Sequence, residues 1–395
     1  MPKVLRIINR FNLGGPTYNV AYLSKYLSPD YDTLLVGGMN SKDEACSDYI
    51  IKKLGIHAIT IPEMTREIGY NDLIAYKKIE NIVKRYKPDI VHTHASKAGY
   101  LGRKAAIKLK VPVIVHTFHG HIFHSYFNKY TTSIFKKLEQ NLANKTDVII
   151  AISPLQKEEL SKVHKIANEE KFRVIPLGFD LNRFQENLKE KRQAFRLKYD
   201  LKDDEIVISS IGRLVAVKNH PLFIKAFAKA KNKTTKKVKA MIVGDGFLRN
   251  GLVELAWSLG LKVSVPEKSV TNPDIIFTSW IGEADMVFAG SEIAALSSFN
   301  EGTPVSLIEA QASNTPIIST NVGGVKDIVI EGKTGLLCEN DNVDDYSEKL
   351  LTLIENTKLR EDMSQNGWDF VKNKFHYTRL VNDVKSLYDE LLGKL

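Results

Sequence analysis

The chain has 395 residues, enough for two or three domains, and its 43% hydrophobic and 26% charged residues match an ordinary globular protein. Its formal net charge of +10 suits nucleic acid, anionic lipid or a phosphorylated substrate. No zinc-finger spacing, RNA-recognition signature or basic heptad region accompanies that charge, so nucleic acid is set aside. No apolar run reaches the length of a membrane span, and the N-terminus enters a strand directly, with no signal peptide expected. Cys46 and Cys338 lack metal-ligand spacing and fit a reducing cytoplasm.

Strands and helices then alternate. Residues 4–9 read as a buried strand, Phe11-Asn-Leu-Gly14-Gly15 as a turn and residues 17–27 as a helix, the start of a parallel α/β sheet. The glycines let the backbone approach a ligand at the helix start, or simply form a tight turn. Residues 33–36 and 58–61 are strands; residues 43–54 and 71–86 are helices, the second with Asn71 as N-cap.

Residues 88–94 form a strand ending in His92-Thr-His94, at the carboxyl end where open α/β sheets bind ligands. The two histidines are expected to face opposite ways, one as a core histidine; as a metal pair they lack a third ligand. Residues 95–103 follow as loop and helix start, with Ser96 and Lys97. The next strand, 111–116, leads into Thr117-Phe-His119-Gly-His121-Ile-Phe-His124, so that with His116 four histidines fall within nine residues. Such rings titrate near neutral pH and donate to oxygens. Residues 123–144 are aromatic and basic, and read either as a helix packing its aromatics inward or as a surface for membrane or a lipid-linked acceptor.

Residues 147–152 form a strand, and Ser153-Pro-Leu-Gln156 opens a helix with N-cap serine, N1 proline and capping-box glutamine. Polar residues 185–204 lead to a second domain, which starts with a strand at 206–211. Gly212-Arg213-Leu-Val-Ala-Val-Lys218-Asn219 then sets Arg and Lys five apart between strand and helix, a diphosphate clamp. The lysine-dense run 229–239 reads as a solvated helix end and loop. Strands at 239–244 and 275–278, a short helix at 283–289 and a strand at 292–297 follow; residues 260–274 carry no legible pattern.

Glu301-Gly-Thr-Pro-Val-Ser-Leu-Ile-Glu309 organises this half. A turn through Gly302, Thr303 and Pro304 delivers a helix from about Val305, with one acid before it and one inside. Its unpaired N–H groups and partial positive charge bind anions and hydroxyl oxygens. Two carboxylates beside that site suit a nucleotide sugar; the plain alternative is a pair of solvated helix acids. A strand at 316–320 ends in Asn321-Val-Gly-Gly-Val-Lys-Asp327, residues 333–337 form a late hairpin or strand, and the last 50 residues are helical.

In this order, Gly-Gly turn, histidine turn, Gly-Arg-x4-Lys and Glu-x7-Glu, each at a strand end, resemble the retaining glycosyltransferases of family 4 with the GT-B fold, over essentially the whole chain. The resemblance implies an α/β fold of two Rossmann-like domains facing across a cleft. Residues 1–182 would form the acceptor side and 183–375 the nucleotide-sugar domain, with a C-terminal helix, 376–395, crossing back to the first. It implies catalytic roles for His119, Glu301, Arg213 and Lys218. It implies donor contacts from Gly14, Gly15, Arg213, Lys218, Glu301, Thr303, Pro304, Val305 and Glu309, the last accepting from ribose hydroxyls. His94, Ser96 and Lys97 would lie on the acceptor side, and Trp280 and Ile281 near the base. Asn219 replaces a family glycine, a change of loop shape rather than charge. The family uses no metal and no cofactor beyond the nucleotide sugar, here expected to be a UDP-sugar, and it retains anomeric configuration. Asp30-Tyr-Asp32 matches the Asp-x-Asp of the metal-dependent GT-A enzymes, but lies away from the expected site and is rejected.

His-Thr-His-Ala-Ser-Lys-Ala-Gly and Val-His-Thr-Phe-His-Gly also resemble bacterial enzymes of surface-polysaccharide assembly. That implies transfer of a hexose or N-acetylhexosamine to a saccharide on a polyprenyl-diphosphate lipid, by a cytoplasmic protein in peripheral contact with an anionic membrane. Two other classes share the pattern: a UDP-sugar 2-epimerase on the same fold, and a non-catalytic nucleotide-sugar-binding protein.

Overall fold

The computed structural model describes residues 1–11, 15–39, 48–65, 67–120 and 129–393, without the side chains of 48, 49, 129 and 130. Gly14, Cys46, His121, His124, the helix start expected at residue 43 and the aromatic residues 123–127 lie outside the described residues. The chain forms two compact units, residues 1–179 with 375–395, and residues 180–374.

The first unit opens with β1 (Lys3–Ile8), α1 (Gly15–Tyr26), β2 (Asp32–Gly38), α2 (Asp48–Lys53), β3 (Ala58–Ile61), α3 (Asn71–Tyr86), β4 (Ile90–His94) and α4 (Ser96–Lys108). It continues through β5 (Val113–Phe118), α5 (Lys129–Asn144), β6 (Val148–Ala151), α6 (Pro154–Glu158) and β7 (Phe172–Val174). Its seven strands pair in the order β3-β2-β1-β4-β5-β6-β7, all parallel. Side chains alternate across such a sheet. Val4 packs with Leu23 of α1 and with Leu27 just after it on one face. Leu5 and Ile7 pack with Ile79 of α3 and Leu101 of α4 on the other. Both faces being covered, the strands read as continuous apolar runs.

Three local expectations change. His92 and His94 share a face, because a spacing of two returns to the same side of a strand; their rings stack with centroids 4.2 Å apart. Asn71 does not cap α3: the cap position is Tyr70, and Asp72 reaches back to accept from the Gly69 N–H at 3.1 Å. At α6 the Ser153 hydroxyl does cap, accepting from Gln156 N–H at 3.1 Å, while the Gln156 side chain accepts from the N–H of Ile152 at 3.0 Å, one residue earlier than in a capping box.

The second unit begins with α7 (Leu188–Lys198) inside the segment read as a polar connection. That helix buries Phe195 against Val207 and Met241, and Arg196 reaches Glu292 at 3.2 Å; its many charged residues concealed a one-residue-wide apolar stripe. Then come β8 (Ile206–Ile211), α8 (His220–Lys231), β9 (Val238–Val243), α9 (Arg249–Ser258), β10 (Val263–Ser264), β11 (Ile275–Phe277), α10 (Ala284–Ala289) and β12 (Ile293–Leu296). They are followed by α11 (Val305–Ala312), β13 (Ile317–Thr320), β14 (Gly335–Cys338), α12 (Val343–Glu355) and α13 (Thr357–Phe375). The strand order is β10-β11-β9-β8-β12-β13-β14, again all parallel. The unread stretch contributes β10 to the sheet edge, and β14 joins as a parallel strand, not a hairpin.

The last helix, α14 (Tyr377–Gly393), belongs to the first unit. It lays Leu380, Val384, Leu387 and Tyr388 onto the α1 face of that sheet, beside Val4, Val113 and Val148. Among the described residues no helix is long and apolar enough to cross a membrane.

Candidate active site

Two sets of polar side chains gather at strand ends, one in each unit.

In the second unit, β8 ends at Ile211 and a tight loop carries Arg213 and Lys218 to α8. Gly244 must be glycine for this loop to close: its φ is +144°, and a Cβ there would stand 1.9 Å from the Gly212 carbonyl oxygen. Asn219 adopts the left-handed conformation, φ +44° and ψ +44°, and its side-chain amide donates to Asp341 Oδ1 at 3.1 Å. Asparagine tolerates that region better than other non-glycine residues, so the loop turns as a glycine would turn it. Arg213 is exposed, and among the described residues its guanidinium makes no hydrogen bond or ion pair.

Lys218 turns toward the loop after β12. Its Nζ lies 2.6 Å from Glu301 Oε1, and the Ser298 hydroxyl donates to the same oxygen at 2.6 Å. The backbone is pinned as well: Phe299 N–H donates to the Val217 carbonyl at 2.8 Å and the Ser297 hydroxyl to the Lys218 carbonyl at 3.0 Å. From below, Gly324 N–H donates to the Glu301 carbonyl at 2.9 Å. A Cβ on Gly323 would meet that carbonyl oxygen at 2.1 Å, and one on Gly324 would meet the Gly302 oxygen at 1.8 Å. The Asn321-Val-Gly-Gly turn is thus the floor of the Glu301 loop.

Thr303 and Pro304 complete the turn. Pro304 is the cap residue of α11 in extended conformation and supplies no side-chain cap, which leaves the first N–H groups, from Val305 on, to outside partners. Glu309 lies about one turn along this helix, 3.7 Å from Arg183 Nη2. Burial pushes its carboxyl up to about 7, against the pull of Arg183. Trp280, just beyond β11, is more than half exposed.

In the first unit, Gly15 begins α1, and the Asn19 side chain donates to its carbonyl at 2.9 Å. The same amide donates to the Gly178 carbonyl at 3.2 Å and accepts from the Gly178 N–H at 3.0 Å. At the carboxyl ends of β4 and β5, His94 Nδ1 and His119 Nε2 lie 3.0 Å apart. Both rings line a small pocket together with Asn19, Thr117 and Leu380. Burial lowers the basicity of His92, His94 and His116 far below the usual imidazole range, and that of His119 to about 4. His116 is held by the Thr93 hydroxyl at 2.8 Å, away from the His94–His119 pair. Ser96 is the first residue of α4, but the Lys97 ammonium is committed to α3, pairing with Asp72 Oδ1 at 2.7 Å and donating to the Glu67 carbonyl.

Sequence reasoning missed Ser298, Asn19, Arg6 and Tyr388. A polar residue directly after an apolar strand, as in Leu-Ser-Ser, was the available signal for Ser298; Arg6 stood out as a charge inside the apolar run of β1. Asn19 and Tyr388 leave no comparable mark. Among the described residues no group of three or more His, Cys, Asp or Glu could hold a metal ion.

Two doubly covered parallel sheets, each with its polar residues at the carboxyl ends of the strands, define a protein of the GT-B class. A family model for glycosyl transferases group 1 matches residues 191–369, and one for Glycosyltransferase Family 4 matches residues 13–183. A UDP-Gal:alpha-D-GlcNAc-diphosphoundecaprenol alpha-1,3-galactosyltransferase of Escherichia coli is 30% identical over 85% of this chain and 84% of its own length. The chain belongs to this glycosyltransferase family. The capsular polysaccharide biosynthesis glycosyltransferase CapM of Staphylococcus aureus is 27% identical over 83% of this chain and 84% of its own length. Among solved structures, a glycosyltransferase from Rickettsia africae is similar with a TM-score of 0.81 at 22% identity, covering 99% of this chain and 98% of that one. Anabaena Alr3699/HepE, solved in complex with UDP, follows at 0.80 and 19%, covering 98% and 100%. At these identities the structures speak for the fold.

Proposed function

We propose that this glycosyltransferase moves a hexose or N-acetylhexosamine from a UDP-sugar to a hydroxyl of a polyprenyl-diphosphate-linked saccharide, with retention and without a metal. The observation that carries the reading is the Lys218–Glu301–Ser298 cluster, in which Lys218 of the loop after β8 meets the loop after β12, which ends at the open N-terminus of α11. The donor and acceptor classes are supported by the Escherichia coli relative's name and by the UDP bound to the Anabaena protein.

In the reaction, the bond between the sugar's anomeric carbon and the diphosphate oxygen breaks, and UDP departs with the electron pair. The acceptor oxygen forms its bond on the same face, and its proton passes to the departing phosphate oxygen. Negative charge grows on that phosphate. Arg213, whose guanidinium makes no hydrogen bond or ion pair among the described residues, and Lys218 stabilise the charge; Gly14 and Gly15 are assigned to the same phosphate. A fixed donor aimed at such charge contributes about 3–4 kcal/mol. Glu301, His119 and the N–H groups from Thr303 to Val305 orient the sugar, and Glu309 accepts from the ribose hydroxyls. Ser96 faces the acceptor, whereas His94, buried at 1% exposure, bears on His119; Lys97 contributes by fixing α4 to α3 through Asp72. A peripheral site on the cytoplasmic face of an anionic membrane would give access to the lipid.

The test is UDP release from a panel of UDP-sugars, in EDTA, with and without bacterial lipid extract, followed by determination of the product anomer. Acceptor-stimulated release with retention supports the reading. Isomerisation of a UDP-sugar without transfer would establish the 2-epimerase alternative, and an inverted product or a metal requirement would remove those parts of the proposal.

A further inference from the structure

Arg6 is fully buried on β1, and its Nη1 lies 3.0 Å from His92 Nδ1. Tyr388 of α14 brings its hydroxyl to 2.6 Å from the same nitrogen and accepts from Arg6 Nη1 at 3.2 Å. A guanidinium has only donors. His92 Nδ1 is therefore a bare acceptor, the ring's hydrogen sits on Nε2, and Nε2–H donates to the Thr117 hydroxyl at 2.7 Å. His92 is locked as one neutral tautomer.

That ring is the platform for the next. His94 stacks on it, tilted by 29°, and is 1% exposed. His94 Nδ1 and His119 Nε2 then share one hydrogen across 3.0 Å. Two neutral imidazoles carry two ring hydrogens between them. Their mutual bond uses one hydrogen and one lone pair. One hydrogen and one lone pair are left, on His94 Nε2 and His119 Nδ1, and neither nitrogen has a partner among the described residues. Exchanging the tautomers swaps the two roles without changing the total.

We propose that His94 is the positioning residue for His119: the pair presents one N–H donor and one acceptor, in neutral form, to a ligand bearing hydroxyl groups, and His92, Arg6 and Tyr388 hold that arrangement from beneath. The chemistry selects a neutral sugar oxygen over a phosphate oxygen, since neither ring brings a positive charge. The inference rests on the reading of His119 as a contact to the donor sugar. It adds a residue from the last helix, Tyr388, to the support of that contact.

Histidine-selective 15N labelling of the whole chain and long-range 1H–15N spectra test it. His92 is expected to show hydrogen on Nε2 alone, and His94 and His119 opposite tautomers, both neutral. His94→Asn keeps a polar group where Nδ1 was; His94→Phe keeps the ring stack and removes the hydrogen bond. His119 should hold its tautomer in His94→Asn and lose it in His94→Phe. UDP release in the same variants, from whichever sugar the panel selects, should fall about tenfold or more in kcat for His94→Phe and clearly less for His94→Asn, which keeps the bond to His119 and lacks only the group at Nε2. Adding His94→Phe to His119→Ala should produce no further fall. An unchanged His119 spectrum in His94→Phe, or a charged His94–His119 pair, would overturn the inference. Full turnover in His119→Ala would instead sink the reading beneath it, whatever the spectra show.

Discussion

Lys218 Nζ and Glu301 Oε1 lie 2.6 Å apart, and both side chains are largely shielded from water, at 21% and 12% exposure. Ser298 loads the same carboxylate oxygen at 2.6 Å, while Oε2 takes no hydrogen bond among the described residues. One oxygen of Glu301 thus anchors the lysine and the other is left for hydroxyl donors. The residues assigned to the phosphate and to the sugar are consequently one unit. Lys218→Ala and Glu301→Gln should each lower kcat/KM for UDP release by about 10²–10³-fold, and the double variant should be much less than multiplicatively worse. Steady-state kinetics on the three variants would show it; independent, multiplicative losses would mean the pair does not act together.

Asn219 predicts a backbone effect separable from charge. Its left-handed φ of +44° disfavours any residue with an ordinary Cβ, by about 1–2 kcal/mol. Asn219→Ala should lose that much stability plus the Asp341 hydrogen bond, whereas Asn219→Gly should lose clearly less. Urea unfolding of the two variants decides between them; equal losses would place the whole effect on the hydrogen bond.

Glu309 carries a pH signature. Burial holds its carboxyl protonated up to about pH 7, and the ionised form is the stronger acceptor for the two ribose hydroxyls. UDP binding should tighten between about pH 6 and pH 8, relative to a Glu309→Gln reference that removes the ligand's own titration from the comparison. Calorimetry on both proteins gives the ratio, and a pH-independent ratio would remove Glu309 from the ribose site.

Acid should also destabilise the fold. His92, His94 and His116 have folded pKa values well below 6.5, and those of His119 and His220 lie at about 4. The unfolded chain then binds more protons than the folded one below pH 6.5, so this stability is full above 6.5 and is lost as pH falls toward the folded values. Each unit of depression corresponds to about 1.4 kcal/mol per histidine. Glu309 works the other way, its raised value giving stability that disappears as pH rises through about 7. Five groups outweigh one, and unfolding free energy should fall steeply from about pH 6.5 to about pH 4.5. A flat profile over that interval would contradict the buried, neutral histidine array.

Most strands of both sheets, β10 excepted, rest on residues that the sequence shows plainly: apolar runs such as Val4-Leu5 and Ile206-Val-Ile, each followed by a glycine turn and a helix. The Glu301 and Lys218 loops were legible for the same reason, since strand ends in parallel sheets are marked by a break in hydrophobicity. What joins them was not. The 2.6 Å contact spans 83 residues of sequence, and the support of His92 by Tyr388 spans 296; no local pattern encodes such pairings. The apolar stripe of α7 was hidden by charge, and the two-residue periodicity of His92 and His94 was misassigned although β4 itself fixes it.

Donor turnover tests the assignment of a UDP-sugar transferase most directly. UDP release should be measured for UDP-galactose, UDP-glucose and their N-acetyl forms, with EDTA, in the presence and absence of polyprenyl-diphosphate-linked N-acetylglucosamine. We expect one donor to be consumed, its UDP release to be stimulated by the lipid-linked acceptor, and both activities to fall by about 10²–10³-fold in Glu301→Gln. Absence of turnover with every UDP-sugar, or equal turnover in the wild type and Glu301→Gln, would contradict it.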